Sequence, residues 1–222
     1  PDEKRLLGTW KAPLHKIVIA PWLKDIATSL QESVDVVENG FDFDMFDITI
    51  EIRERDPMRV VMLYHELEWK GFREALKIVK KKYPTLTVNL FGVYEKPADL
   101  PDWYIYYQMP DKGTLNRLYN EAAIYVGASH AEGWGLTIGE AMQCGCAVAC
   151  TDNGGYMVMA HHQETALVSP VKDVESLADN IIRLIEDPDL RCRLAVNGNV
   201  NIKQYTWGRS YEQLKRILLK EE

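Results

Sequence analysis

The sequence predicts an α/β fold: a mostly parallel sheet with helices on both faces, ending in a helical C-terminal tail. Three observations predict it. Apolar runs of four to six residues alternate with amphipathic stretches of ten or more, the pattern of β-α units. The apolar runs are nearly continuous, as in strands covered on both faces. After residue 170 only helical periods remain.

In order, HKIVIA (15–20) and VDVV (34–37) read as short strands around a helix, PWLKDIATSL, whose Pro21 suits a first helical position. RVVMLY is a buried strand leading into the helix KGFREALKIVKKKY, which Pro84 stops. The strands LTVNLFG and YIYYQ follow, then the helix GTLNRLYNEA, the strand AIYVGAS, the helix TIGEAMQCG and the strand AVACT. A last strand, TALVSP, precedes three helical pieces: DVESLADNIIRLIEDP, one from near Asp189 and one from Trp207. The first of these spaces its apolar residues three and four apart and covers one sheet face. Residues 1–12 lack a clear period and read as a linker remnant, leaving 13–222 as one domain. Residues 39–57 are irregular and charged, which predicts a surface loop.

Composition narrows the function. With 46% hydrophobic and 27% charged residues in 222, a packed core is expected. A formal net charge of -7 repels a phosphate backbone, so nucleic acid is not an expected partner. Lys77, Lys80, Lys81 and Lys82 end a helix, where basic residues complement the dipole. No apolar run nears the ~20 residues that span a bilayer, and no basic-then-apolar leader is visible. The expectation is a cytoplasmic protein with at most peripheral membrane association. Cys144, Cys146, Cys150 and Cys192 lack a paired CxxC spacing and read as small buried thiols rather than zinc ligands.

The chemistry concentrates in SHAEGWGLTIGEAM, residues 129–142, between a strand and a helix. Gly133 and Gly135 let the backbone approach a ligand, and the helix that follows presents free N–H groups and a positive dipole end to an anion. In an open parallel sheet, ligands sit outside the carboxyl ends of the strands, where this loop falls. Glu132 lies in the loop and Glu140 in the helix, so both can point into one cleft. A carboxylate repels a diphosphate, so each is expected to accept hydrogen bonds from sugar hydroxyls.

This stretch resembles the E-x7-E signature of the retaining glycosyltransferases with the GT-B fold called group 1 or family 4. Other pieces keep that family's order. Residues 37–42, VENGFD, with Phe46, are similar to its N-G turn; Lys70-Gly71 after RVVMLY resembles its K-G; TDNGG at 151–155 resembles its T-D-x-G-G. The resemblance runs from about His15 to the C-terminus and implies a Rossmann-like domain, the C-terminal half of a GT-B fold. It implies that Glu140 binds the ribose hydroxyls and that Glu132 contacts the donor sugar. It further implies that backbone N–H groups of Gly133, Trp134, Gly135 and Leu136 hold sugar and phosphate oxygens. Lys70 neutralises the diphosphate leaving group, with Glu132 and Lys70 as the catalytic residues, and the base lies near Met109 and Pro110.

Two departures stand out. Tyr64-His65 replaces the family's G-R, so a fixed guanidinium gives way to an imidazole. Either His65 takes the phosphate-binding role or Lys70 works alone with weaker donor binding. Ala128 stands where proline is usual.

Other motifs have simpler readings. Asp42-Phe43-Asp44 matches a metal-binding D-x-D but lies in the N-G turn and reads as loop charge. His161-His162 reads as an exposed helix end, because adjacent helical residues cannot readily share an ion. His130 either touches the sugar or fills a turn. The aromatic run 103–107 suits a half-buried strand better than a stacking platform.

The expected function is therefore the donor half of an enzyme that moves a hexosyl group from a nucleotide diphosphate sugar to a glycan or lipid-linked acceptor, as in polysaccharide biosynthesis. Retention of configuration and independence of metal follow from the resemblance, and no cofactor beyond the donor substrate is required. The acceptor would be held by an N-terminal domain absent from this chain, so the fragment is expected to show little activity alone. The alternatives are a non-catalytic nucleotide-sugar-binding module and a GT-B sugar-nucleotide epimerase.

Overall fold

A computed structural model describes residues 3–65 and 73–219 of the chain. They fall into two compact units, one of residues 1–41 with 205–222 and one of residues 42–204.

The smaller unit contains α1 (Glu3–Trp10), β1 (Ile17–Val18), α2 (Pro21–Ser29), β2 (Asp35–Val36) and α8 (Trp207–Leu219). Its two short strands pair in parallel, with Val18 opposite Val36. Val18, Ala27 and Val34 form a small apolar cluster with Leu23, Val36 and Trp10 against it. The stretch expected as a linker thus carries a helix, because Trp10 finds an apolar partner that no local period advertises. The N-G turn meets the start of α8: Phe41 bridges Thr206 and donates its N–H to the Tyr205 carbonyl at 3.0 Å. Glu38 then anchors that helix through Arg209 at 2.6 Å and through its own N–H to Gln213 at 3.0 Å.

The larger unit holds a six-stranded sheet in the order β5-β4-β3-β6-β7-β8. Its strands are β3 (Arg59–Leu63), β4 (Thr87–Gly92), β5 (Tyr104–Gln108), β6 (Ile124–Gly127), β7 (Ala147–Thr151) and β8 (Leu167–Ser169), all parallel. Around it lie α3 (Arg73–Lys82), α4 (Lys112–Glu121), α5 (Leu136–Gln143), α6 (Val174–Glu186) and α7 (Pro188–Ile202). Successive strand residues face opposite sides. Ile124 and Val126 of β6 therefore join the core cluster shared with α3 and α6, while Tyr125 between them turns to the other face. There its hydroxyl meets Thr137 of α5 at 2.7 Å. Helices cover both faces, as the continuous apolar runs predict. The aromatic run forms β5, with Tyr104 buried and Ile105 half exposed. All four cysteines are buried free thiols.

The segment before β3 is irregular and mostly at the surface, as expected, but it also sends side chains into the core. Phe46 and Arg55 are both buried. The Arg55 guanidinium donates to the carbonyls of Ile50 (2.8 Å), Tyr119 (3.4 Å), Ala122 (3.3 Å) and Cys144 (2.6 Å). It thereby fills carbonyls at the ends of α4 and α5, where cations are favoured. Its five donors in a rigid fork make this possible for a buried charge. At the end of α3, Lys80 donates to the Pro84 and Leu86 carbonyls and Lys82 pairs with Glu186 at 2.6 Å. No helix among the described residues is long and apolar enough to cross a membrane.

Candidate functional site

Strand order locates the site. The chain builds outward through β3, β4 and β5, then returns to the other side of β3 with β6, β7 and β8. The order reverses between β3 and β6, and the crevice outside their carboxyl ends is where such sheets bind ligands. His65 follows β3 and residues 128–135 follow β6, so both lie at that reversal.

The loop after β6 is held by the loop after β7. Asn153 Nδ2 donates to the Ser129 carbonyl at 2.9 Å, Thr151 Oγ1 donates to the same oxygen, and Asn153 Oδ1 accepts the Tyr156 N–H at 3.1 Å. Ser129 Oγ in turn donates to Glu132 Oε1 at 2.6 Å, which fixes the carboxylate. Gly155 presses on the backbone of Glu132: a Cβ there would lie 2.5 Å from the Glu132 carbonyl oxygen. The second glycine of TDNGG is thus a contact surface for the first glutamate of the signature.

Gly135 ends the loop at φ 92 and ψ 55 and caps α5. Only glycine takes this left-handed position without strain, and a Cβ would also come within 2.7 Å of the Tyr156 ring. No side chain of a described residue caps α5. Its first N–H groups and positive dipole end therefore suit an anion. Trp134 is buried beneath the loop, whereas Gly133 and Leu136 are exposed.

Glu140 stands in the second turn of α5, where Tyr119 of α4 donates its hydroxyl to Oε2 at 2.9 Å. Tyr119 is fully buried among Phe46, Phe91 and Tyr125, with ring centroids 5.7–6.1 Å away. Burial pushes the Glu140 carboxyl up to about 7, against the Tyr119 hydrogen bond and the charge of Lys112, which both favour ionisation. The neighbouring Tyr125 hydroxyl is pushed well up, first by burial, then by Tyr156 and by the charges of Glu132 and Glu140. One buried phenol therefore feels both carboxylates of the signature. Sequence reasoning missed Tyr119, Tyr125 and Tyr156, since aromatics at helical or strand spacing read as core.

His65 lies with Nε2 3.1 Å from the Tyr94 hydroxyl oxygen, ring against ring at 4.9 Å. Tyr106 donates to the Tyr94 carbonyl at 2.5 Å, which ties this loop to β5. Met109, just past β5, adopts φ 45 and is 72% exposed, while its N–H bonds the Gly92 carbonyl at 2.8 Å. Pro110 and the α4 cap Asp111, which accepts the Thr114 N–H at 2.7 Å, follow directly. Lys70 and Gly71 lie outside the described residues.

Asp42 accepts the N–H groups of Asp44 and Met45 and pairs with Lys112 at 3.6 Å, so this D-x-D carboxylate is engaged in its own turn. His161 and His162 sit in a turn rather than at the expected helix end. His162 bridges Ala166, and its Nδ1 accepts the Val168 N–H at 3.0 Å. The short helical turn before them stops at Val158, and the chain enters β8 instead. Among the described residues no group of three or more His, Cys, Asp or Glu side chains comes together as a metal site.

The model of the family described as glycosyl transferases group 1 matches residues 52–200, more than half of the chain. The chain belongs to that family. Glu132, Glu140 and residues 151–155 fall inside the matched residues. Among curated relatives of this group 1 glycosyltransferase chain, the D-inositol 3-phosphate glycosyltransferase of Saccharomonospora viridis is 29% identical over 111 residues, covering 49% of this chain and 26% of that protein. Among solved structures, sucrose-phosphate synthase from Thermosynechococcus elongatus superposes with a TM-score of 0.81 at 23% identity, over 100% of this chain and 63% of the other. Anabaena HepE in complex with UDP-glucose gives 0.79 at 18% identity, over 92% and 63%. These likenesses establish the GT-B Rossmann-like fold. The chain spans less than two thirds of each of these relatives.

Proposed function

We propose that the crevice outside β3 and β6 binds a nucleotide diphosphate sugar and that the complete enzyme transfers its glycosyl group to a glycan or lipid-linked acceptor in the cytoplasm. The observation that carries this reading is the N-terminus of α5, which no side chain of a described residue caps and which Gly135 opens, with Glu132 and Glu140 on either side of it. Backbone N–H groups of Gly133, Trp134, Gly135 and Leu136 take sugar and phosphate oxygens. Glu140 accepts the ribose hydroxyls, and Glu132, held by Ser129, faces the donor sugar. Met109 and Pro110, at the end of β5, flank the base.

As the glycosidic bond breaks, negative charge grows on the departing diphosphate. Lys70 and His65 stabilise that charge together with the helix dipole, the work a metal ion does in other transferases. Transfer with retention and without metal is the reading that the signature supports. Docking of an N-terminal domain supplies the acceptor and excludes water. That a relative of the same fold binds UDP-glucose supports the donor class.

Calorimetric titration of the chain with UDP, GDP, dTDP and ADP, first without metal and then with magnesium, tests this. Metal-independent binding of one nucleotide is the expected result and identifies the base. Binding of none, or binding only with magnesium, rejects the site as drawn. The second reading, a binding module without catalysis, is favoured by one feature, His65 in place of the family's arginine. Glycosyl transfer by the complete protein to any acceptor excludes it.

A further inference from the structure

Glu140 is a carboxylate that the fold has already largely desolvated before any ligand arrives. Beside it lie α4 and β6, and the groups that face it are Tyr119 and Lys112 from α4, Tyr125 from β6 and Cys144 just past the end of its own helix. Tyr119 cannot swing away. Phe46, Phe91 and Tyr125 hold its ring, and Arg55 holds its backbone carbonyl and the amide oxygen of Asn120 next to it. Its hydroxyl is thus fixed 2.9 Å from Glu140 Oε2.

We propose that Glu140 releases a proton to solvent when the vicinal hydroxyls of a nucleotide dock on it, and that Tyr119 is the positioning residue that sets how much is released. The inference rests on the donor-site reading above and adds to it a proton linkage. In the empty site a carboxyl with one donor at Oε2 is held in an apolar wall, which favours the neutral acid. Two ribose hydroxyls donating to the same carboxylate favour the anion, and the burial cost is already in place, so docking tips the balance to the charged form. The bond that breaks is the carboxyl O–H, and its proton goes to buffer. Burial pushes this carboxyl up to about 7, so near neutral pH a fraction of the sites without ligand carries that proton. Removing the Tyr119 hydroxyl takes away a donor that favours ionisation, so a larger share is protonated and a larger share is released.

The test is calorimetric titration of the chain with UDP-glucose and with GDP-mannose, neither of which titrates between pH 5 and 8. Each is run at pH 7 in phosphate and in Tris, whose ionisation enthalpies differ. The expected result is a buffer-dependent enthalpy that reports release of a fraction of a proton per site, larger in Tyr119→Phe and lost in Glu140→Gln. Any proton taken up elsewhere, as at His65 on phosphate contact, has the opposite sign and persists in Glu140→Gln, so the difference between wild type and that variant isolates Glu140. Binding with a buffer-independent difference overturns the linkage and leaves the donor site standing. A Tyr119→Phe variant that changes affinity but not the proton count overturns the role of Tyr119. If neither probe binds, the donor-site reading falls and this inference with it.

Discussion

Tyr119 and Glu140, on neighbouring helices, share a hydrogen bond of 2.9 Å in a wall where the tyrosine is fully buried. Burial pushes the glutamate up to about 7 in the folded chain, above the usual carboxylate range of about 4.3. Between these values the folded state binds more protons than the unfolded one, so stability is greatest below the lower value and falls as pH rises through the upper one. A shift of this size corresponds to about 3 kcal/mol. Urea unfolding of the wild-type chain at pH 4.5 and pH 8 is expected to show that slope, and Glu140→Gln to flatten it. An equal slope in both proteins assigns the pH dependence to other groups.

Gly155→Ala forces a Cβ toward the Glu132 carbonyl, where the gap is 2.5 Å and the obstacle is backbone. The expected cost is about 1–3 kcal/mol of stability, with weaker donor binding because the loop bearing Glu132 must move. Denaturation midpoints and nucleotide titration of the variant measure both. An unchanged midpoint contradicts the tight approach.

Arg55→Met leaves the buried carbonyls of Tyr119, Ala122 and Cys144 without their guanidinium partner. The Tyr119 and Ala122 carbonyls keep the Cys146 thiol as a weak donor, whereas the Cys144 carbonyl loses its guanidinium partner, so a loss of about 1–3 kcal/mol is expected. Because Arg55 backs the helix that carries Tyr119, nucleotide affinity should fall with it in the same variant.

Lys70→Ala is expected to weaken nucleoside diphosphate binding by about 1.5–3 kcal/mol, the range for a hydrogen bond to a charged group. Nucleoside binding should be spared. The two ligands compared in one titration series decide it, since equal losses for both place Lys70 away from the phosphates.

His65→Arg restores the residue type that the family signature carries, with a fixed charge and a planar fork that suit a phosphate. Tighter diphosphate binding is the expected outcome, despite loss of the 3.1 Å contact with Tyr94. Weaker binding of UDP or GDP by this variant shows instead that the Tyr94 contact holds His65 where the site needs it.

Much of this was legible in the chain. The continuous apolar runs of β3, β6 and β7 announce strands buried on both faces, and Pro21, Pro84 and the glycines around residue 135 punctuate the elements where local chemistry requires it. The ordered glycine and glutamate motifs point to the loop before α5, the proposed donor loop, because backbone close to a phosphate needs both a missing Cβ and a helix start. The irregular surface course of residues 39–57 was legible, but the burial of Phe46 and Arg55 was not: charge reads as solvent exposure, and nothing within that segment reveals that Arg55 caps two helices from elsewhere in the chain.

The sequence alone determined the β-α order, the placement of the glycine loop before α5 and the pair Glu132 and Glu140, since strand and helix periods and glycine tolerance are local properties of a chain. Tertiary structure decided which groups meet these residues: Tyr119 with Glu140 across 21 positions, Tyr94 with His65 across 29, and Arg55 with Cys144 across 89. Those meetings depend on the order in which β3, β4 and β6 lie side by side. That order follows from how the whole core closes, and a hydrophobic period records that a side chain is buried without recording what it is buried against.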